Sequence, residues 1–164
     1  MKLSQCAISA AAVLGFAALI QTPPTQAAAS AATAVGSCLA NTTEADVNLR
    51  KRPLAIRNEG ATAVYVSCAA QYGFNPQVVE SATVVAINTN AAPVEFTCTL
   101  VDGALIASDL IFFYPKTITL PSNGAAVMNW FASDNGGTTF TGFENFSCLL
   151  PPGVEINIVG FTYY

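Results

Sequence analysis

The chain contains no histidine, and that single absence removes most common routes to protein chemistry. Ser–His–Asp and Cys–His arrangements need an imidazole base, and most zinc sites need His or closely spaced Cys. No two of the five cysteines are close in sequence. Positive charge is nearly as scarce, with six Lys and Arg against ten Asp and Glu. Nucleic-acid binding needs clustered cations on one face, so that class is excluded. Charged residues of both signs make up only 10% of the sequence, low for a soluble domain. One cluster of cations exists, Arg50, Lys51, Arg52 and Arg57. It reads as the solvated start of a strand, with an anionic-ligand patch or a processing site as sharper alternatives. Beyond the first 27 residues there is no long amphipathic helical pattern and no apolar run long enough for a membrane span.

What is present begins with an export signal. Met1 and Lys2 supply a positive start, Cys6 to Ile20 is almost wholly apolar, and Gln21-Thr22-Pro23-Pro24 breaks the run. Small residues follow, so cleavage is expected after Ala27 or Ala29. The expected organisation is a signal peptide over 1–27, a flexible Ala/Ser/Thr-rich tail over 28–37 and one β-sandwich domain over 38–164. Removing Cys6 leaves Cys38, Cys68, Cys98 and Cys148, an even set that in an exported chain suggests disulfides. The expected location is secreted or periplasmic, with no stable membrane span after the signal is removed.

Short apolar and β-branched runs alternate with turn residues in the manner of a sandwich or barrel. Val94 to Val101 alternates cleanly, with Val94, Phe96, Cys98 and Leu100 on one face and Glu95, Thr97 and Thr99 on the other. Turn signatures stand at Asn58-Glu59-Gly60, Asp102-Gly103, Pro121-Ser122-Asn123-Gly124, Asp134-Asn135-Gly136-Gly137 and Pro151-Pro152-Gly153. They read as hairpin reversals. The expected fold is an antiparallel, jelly-roll-like β-sandwich of about 8–9 strands stapled by two disulfides. Three cysteines share a local pattern: Val66-Ser67-Cys68, Phe96-Thr97-Cys98 and Phe146-Ser147-Cys148. Residues i and i−2 share a strand face, so these cysteines should face the core. Four cysteines allow three pairings. The favoured one joins Cys38 to Cys68 and Cys98 to Cys148.

With its Asn-x-Gly turn before Val-Tyr-Val-Ser-Cys, and its Cys-Leu-Leu-Pro-Pro-Gly before a final strand, the chain resembles a loose group of small exported bacterial β-proteins. The resemblance implies a two-disulfide sandwich and nothing about chemistry.

Glu80, Glu95, Glu144 and Glu155 are the carboxylates from which a glycosidase pair could be drawn. Asp102 with Asp109, or Asp134 with Asn135, could seed a calcium site, but neither has a regular Asp-x-Asp spacing and both read as turn chemistry. No catalytic residue, metal site or cofactor is therefore assigned. The sequons at Asn41 and Asn145 carry no weight in a chain of bacterial flavour. Phe112-Phe113-Tyr114, Trp130-Phe131 and Tyr163-Tyr164 are consecutive aromatics that cannot all face inward. Phe113, Tyr114, Trp130 and Tyr163 are the expected contact surface. The functional expectation is a non-catalytic secreted module acting by contact in adhesion, matrix or ligand binding, on an extracellular protein or a glycan. The alternatives are a small secreted carbohydrate-active enzyme and an outer-membrane β-barrel.

Overall fold

The computed structural model describes residues 28–69, 79–103, 111–141 and 143–163. The expected signal peptide lies outside them. Eleven strands are described: β1 (Ala28–Thr33), β2 (Cys38–Ala40), β3 (Leu49–Arg52), β4 (Ala55–Asn58), β5 (Val64–Cys68), β6 (Val79–Asn88), β7 (Val94–Asp102), β8 (Phe112–Leu120), β9 (Gly124–Phe131), β10 (Glu144–Leu150) and β11 (Val154–Tyr163). They form two antiparallel sheets. Sheet A runs β3-β4-β11-β6-β9, and sheet B runs β2-β5-β10-β7-β8. β1 joins sheet A along Ile158 to Tyr163 of β11, beyond the short stretch that β4 occupies.

From β4 onward the chain visits the sheets in the order A, B, A, B, B, A, B, A, which is the eight-strand jelly roll. The surplus over the expected eight or nine strands lies in three short N-terminal pieces, β1, β2 and β3, each too short or too poor in large apolar residues to show periodicity. The sheets stay separate and do not close into a barrel, and their shared interior is filled by side chains. That removes the outer-membrane barrel reading. Among the described residues no helix is long and apolar enough to cross a membrane.

Strand parity decides what is inside. On β5, β7 and β10 the residues Val66 and Cys68, Phe96 and Cys98, and Phe146 and Cys148 are buried, while the hydroxyl residues between them turn outward. Cys38 is bonded to Cys68 and Cys98 to Cys148, each joining directly opposed residues of neighbouring strands in sheet B. This is the pairing favoured from the sequence. Against them packs a file of aromatics: Trp130 lies 5.5 Å from Phe146, which stacks at 5.2 Å on Phe161.

Most of the turn signatures are not hairpins. The turns after Asn58, Leu120 and Leu150 each carry the chain from one sheet to the other. Only the Asp102-Gly103 signature, among those named above, stands between strands that are neighbours within a sheet, β7 and β8, and residues 104–110 between them lie outside the described residues. A tight turn fixes the chain's reversal and leaves open which sheet the next strand enters. Two buried asparagines bracket these corners in the same way. Asn58 accepts from Gly60 N at 2.9 Å and donates to Thr62 O and Leu150 O, both at 2.8 Å. Asn88 accepts from Asn90 N at 2.9 Å and donates to Ala92 O at 2.8 Å and Pro121 O at 3.0 Å. Gly153 closes the same end at φ +72°, where a Cβ would lie 2.3 Å from Asn90 Oδ1, so this position requires glycine.

Residues 28–37, expected to be a flexible tail, hold a strand and a short helical turn. Ala28 to Thr33 pairs residue for residue with β11, and Ala34, which opens a short helical turn α1 (Ala34–Ser37), is fully buried. Small side chains hide this strand from periodicity, yet they are what the site accepts. A Cβ on the facing Gly160 would come within 2.9 Å of Ser30 O.

Candidate functional site

Sheet B has an outer face almost free of charge. Its outward positions are Leu39 on β2, Tyr65 and Ser67 on β5, and Asn145, Ser147 and Leu149 on β10. Next come Glu95, Thr97, Thr99 and Val101 on β7, and Phe113, Pro115, Thr117 and Thr119 on β8. Glu95 is the one charged side chain among these strand positions. The rest follows from strand alternation, because the residues between the inward Cys and large apolar side chains are mostly Thr, Ser, Asn and uncharged apolar or aromatic residues. The hydroxyls form cross-strand pairs, with Thr97 bonded to Thr117 at 2.8 Å and Ser67 donating to Asn41 Oδ1 at 2.8 Å.

Apolar anchors stand at opposite corners of this field. Leu39 is 64% exposed and Tyr65 55% at one corner, and Phe113 is 64% exposed at the other. Through their register partners on β10, Tyr65 and Phe113 are three strand spacings apart across the sheet and four residues apart along it, about 20 Å on the diagonal. Both disulfides lie directly beneath and hold four of the five strands.

At the Tyr65 corner the face runs into an open cleft of about 410 Å³. It is bounded by the short helix α2 (Thr43–Asp46), capped by Thr42 through a bond from Ala45 N to Thr42 Oγ1 at 3.2 Å. Asn41, Glu44, Asn48, Thr62 and Tyr65 line it. An aromatic ring, two amides, a carboxylate and a hydroxyl thus converge on one opening.

The expected contact residues do not form one surface. Phe113 is on the outer face of sheet B as described. Trp130 is a correction: it is fully buried on the inner face of β9, its Nε1 donating to Tyr114 O at 2.7 Å across the two sheets. Alternation places Phe131, not Trp130, outside. Tyr114 is half-buried on the inner side of β8, edge-on to Phe140 at 5.5 Å, and its hydroxyl donates to Asn135 Oδ1 at 2.6 Å. Burial, with the Asp102 charge behind it, pushes its phenol above the ordinary value. Tyr163 is half-buried at the end of β11 in the other sheet. Tyr65 and Leu39 were missed, although parity with Val66 and Cys68 already placed Tyr65 outside.

The carboxylates are equally dispersed. Glu95 and Glu155 lie on opposite outer faces of the sandwich, so they cannot flank one bond. Glu144 is buried on the inner face of β10, and Glu80 is half-buried near the start of β6. Asp134 is held by Lys116 at 2.8 Å and accepts from Phe131 N at 2.8 Å. Burial pushes its pKa up, but the Lys116 hydrogen bond, the Phe131 N–H and the Lys116 charge outweigh this and hold it below the ordinary range. It fastens both the turn, the role read from the sequence, and the edge between β8 and β9. Asp109 lies outside the described residues. Most of the basic cluster is matched by acids: Arg50 and Arg52 pair with Glu59, and Lys51 with Asp46. The hydrogen bond from Arg52, with the charges of Arg50 and Arg52, holds Glu59 below its ordinary value against partial desolvation. Arg57 instead bonds Thr89.

No family model and no curated protein matches the chain. Among solved structures it is similar to a chain described as the carbohydrate-binding module CBM36 in complex with calcium and xylotriose. The two are 12% identical at a TM-score of 0.37, over 82% of this chain and 98% of that one. At that distance the likeness says nothing of what this chain binds.

Proposed function

We propose that the protein is an exported, non-catalytic module that holds a neutral glycan against the outer face of sheet B and the adjoining cleft. One observation carries this reading: Tyr65 belongs to both the cleft and a face of hydroxyls, with Glu95 its one charged strand residue, whose far corner is another exposed aromatic. Sugar rings offer apolar C–H faces that stack on aromatic rings, and hydroxyls that bond amides and side-chain oxygens. A field whose few charges, Glu95 and Glu44, are acidic favours a neutral polymer over an anionic one. Two core disulfides fit an oxidising compartment. Export by a signal over residues 1–27 fits β1 as well: cleavage after Ala27 leaves the strand whole, whereas cleavage after Ala29 would remove two of its six paired residues.

Pull-down on insoluble neutral polysaccharides, with a carboxylated polysaccharide as the comparison, tests the reading. Retention on at least one neutral polymer, lost in Tyr65→Ala with the fold intact by circular dichroism, is expected. Retention only on the charged polymer, or on none, contradicts it.

A further inference from the structure

Strand register fixes what lies between the two exposed rings of sheet B. Tyr65 stands beside Leu149, Leu149 beside Thr97, and Thr97 beside Thr117. Two residues further along the strands, Ser67, Ser147, Thr99 and Pro115 form the next outward row, and Asn145, Val101 and Phe113 the row after it. The line from Tyr65 to Phe113 thus advances four residues over three strand spacings. It crosses β10 nearest Ser147 and β7 nearest Thr99. Along the diagonal the order is ring, hydroxyl, hydroxyl, ring.

Those two hydroxyls differ from their neighbours. Thr97 and Thr117 are bonded to each other, and Ser67 is bonded to Asn41. Ser147 and Thr99 face each other across β10 and β7, both half-buried, and neither hydroxyl is bonded to another group among the described residues. Their capacity to donate and accept is left for a ligand or water. Glu95 stands four residues from Thr99 along β7, on the side away from Phe113, so the diagonal itself carries no charge. The cleft opens at its Tyr65 end.

We propose that this diagonal seats an extended, linear neutral glycan, a proposal that rests on the glycan reading of sheet B and adds the shape and length of the ligand. One sugar ring stacks on Tyr65 and another on Phe113, and the hydroxyls of Ser147 and Thr99 bond the units between them. A chain that reaches both rings gains the second contact as an intramolecular one. An extended pyranose chain advances by roughly one strand spacing, about 5 Å, per unit, so the ~20 Å diagonal separates the two stacked rings by about four units. The shortest chain that reaches both has about five units. A single sugar or a short oligomer engages one ring only, and a polymer wound into a tight helix turns away before it meets the second.

Pull-down on insoluble cellulose, mannan, xylan and chitin first finds a neutral polymer that retains the protein. Oligomers cut from that polymer, sized from the dimer upward, are then titrated by calorimetry. Affinity should rise by about fivefold or more between oligomers too short to span the rings and those of about six units, then level off. Phe113→Ala should erase that rise. Thr99→Val, which keeps the side chain's shape, should weaken the longer oligomers by about threefold. Phe143 is 59% exposed beyond the end of β10 and off the line, so Phe143→Ala should keep the rise. If Phe113→Ala fails to fold, the length profile of the unaltered protein and the Thr99→Val loss still decide. Affinity independent of length, a rise that survives Phe113→Ala, or one that Phe143→Ala abolishes overturns the diagonal and leaves the glycan reading standing. Retention on none of these polymers overturns that reading and the diagonal with it.

Discussion

The two sheets of this sandwich are held together by different means. Sheet B contains all four described cysteines, and its disulfides tie β2 to β5 and β7 to β10. Sheet A contains none. It relies on its two longest strands, β6 and β11, ten residues each and paired along most of their length, and on the aromatics it contributes to the core. The outer faces differ as well. Sheet A places Arg57 beside Glu155 and ends in the charged edge strand β3, Leu-Arg-Lys-Arg, a sequence that discourages another chain from adding to the edge. Sheet B carries Glu95 as the one charged strand residue of its outer face and has exposed apolar residues at its corners. On the proposed reading the stapled sheet is the one that meets a ligand, and its two cross-links restrain four of the five strands beneath that face. A preformed face loses less entropy on binding.

The largest effect should come from the residue of sheet A that is hydrogen-bonded across to sheet B. Trp130→Ala removes a fully buried indole and its bond across the core, and should cost about 3–5 kcal/mol in denaturant unfolding. Next is the Cys98→Ala, Cys148→Ala pair, expected to cost about 2–5 kcal/mol. Here hydrogen exchange sharpens the comparison: amides of β7 and β10 should lose protection more than those of β6 and β11. Equal loss in both sheets would mean that the disulfide stabilises the sandwich as a whole and not sheet B in particular. Asn88→Ala leaves the Asn90 N–H and two corner carbonyls without their partner and should cost about 1–3 kcal/mol. Thermal melts should place Asn58→Ala close to it, because the two brackets are alike.

A smaller effect is expected from pH at the open edge where β8 meets β9. Asp134 has a folded pKa below its unfolded one. Its bond to Lys116 therefore contributes stability that is present above the unfolded carboxylate value and lost as pH falls through the folded one. For a partly exposed ion pair this amounts to under about 1 kcal/mol. Asp134→Asn should flatten that part of the stability–pH curve without altering the neutral-pH fold. An unchanged acid limb in the variant would remove the fastener from the account.

Much of this was legible because period two is strict. Once Cys68, Cys98 and Cys148 were matched to their i−2 neighbours, the inner face of three strands followed, and with it the outward placement of Tyr65. Other features were hidden for physical reasons. β1 is held by backbone pairing and close approach to Gly160, and a strand of Ala, Ser and Thr has no apolar rhythm to read. Trp130 and Phe131 were known to point in opposite directions, but their order depended on the register of β9 against β6. Asn58 and Pro151-Pro152-Gly153 announced turns, yet hairpin and crossover use the same turn chemistry. The line from Tyr65 to Phe113 through Ser147 and Thr99 is created by strand register between distant segments, so no local spacing could show it.

The central claim is that the face of sheet B, and not that of sheet A, makes the contact. Two matched triple variants test it most directly. Leu39→Ser, Tyr65→Ser and Phe113→Ser strip the exposed apolar residues from sheet B. Val127→Ser, Phe131→Ser and Ile158→Ser do the same on sheet A, where the three are 55%, 50% and 42% exposed. Single exposed substitutions of this kind usually change stability by no more than about 0.5 kcal/mol, so both proteins should remain folded. Retention on the neutral polysaccharide that holds the unaltered protein should be lost in the sheet B variant and kept in the sheet A variant. The opposite result, or retention by both, would contradict the account.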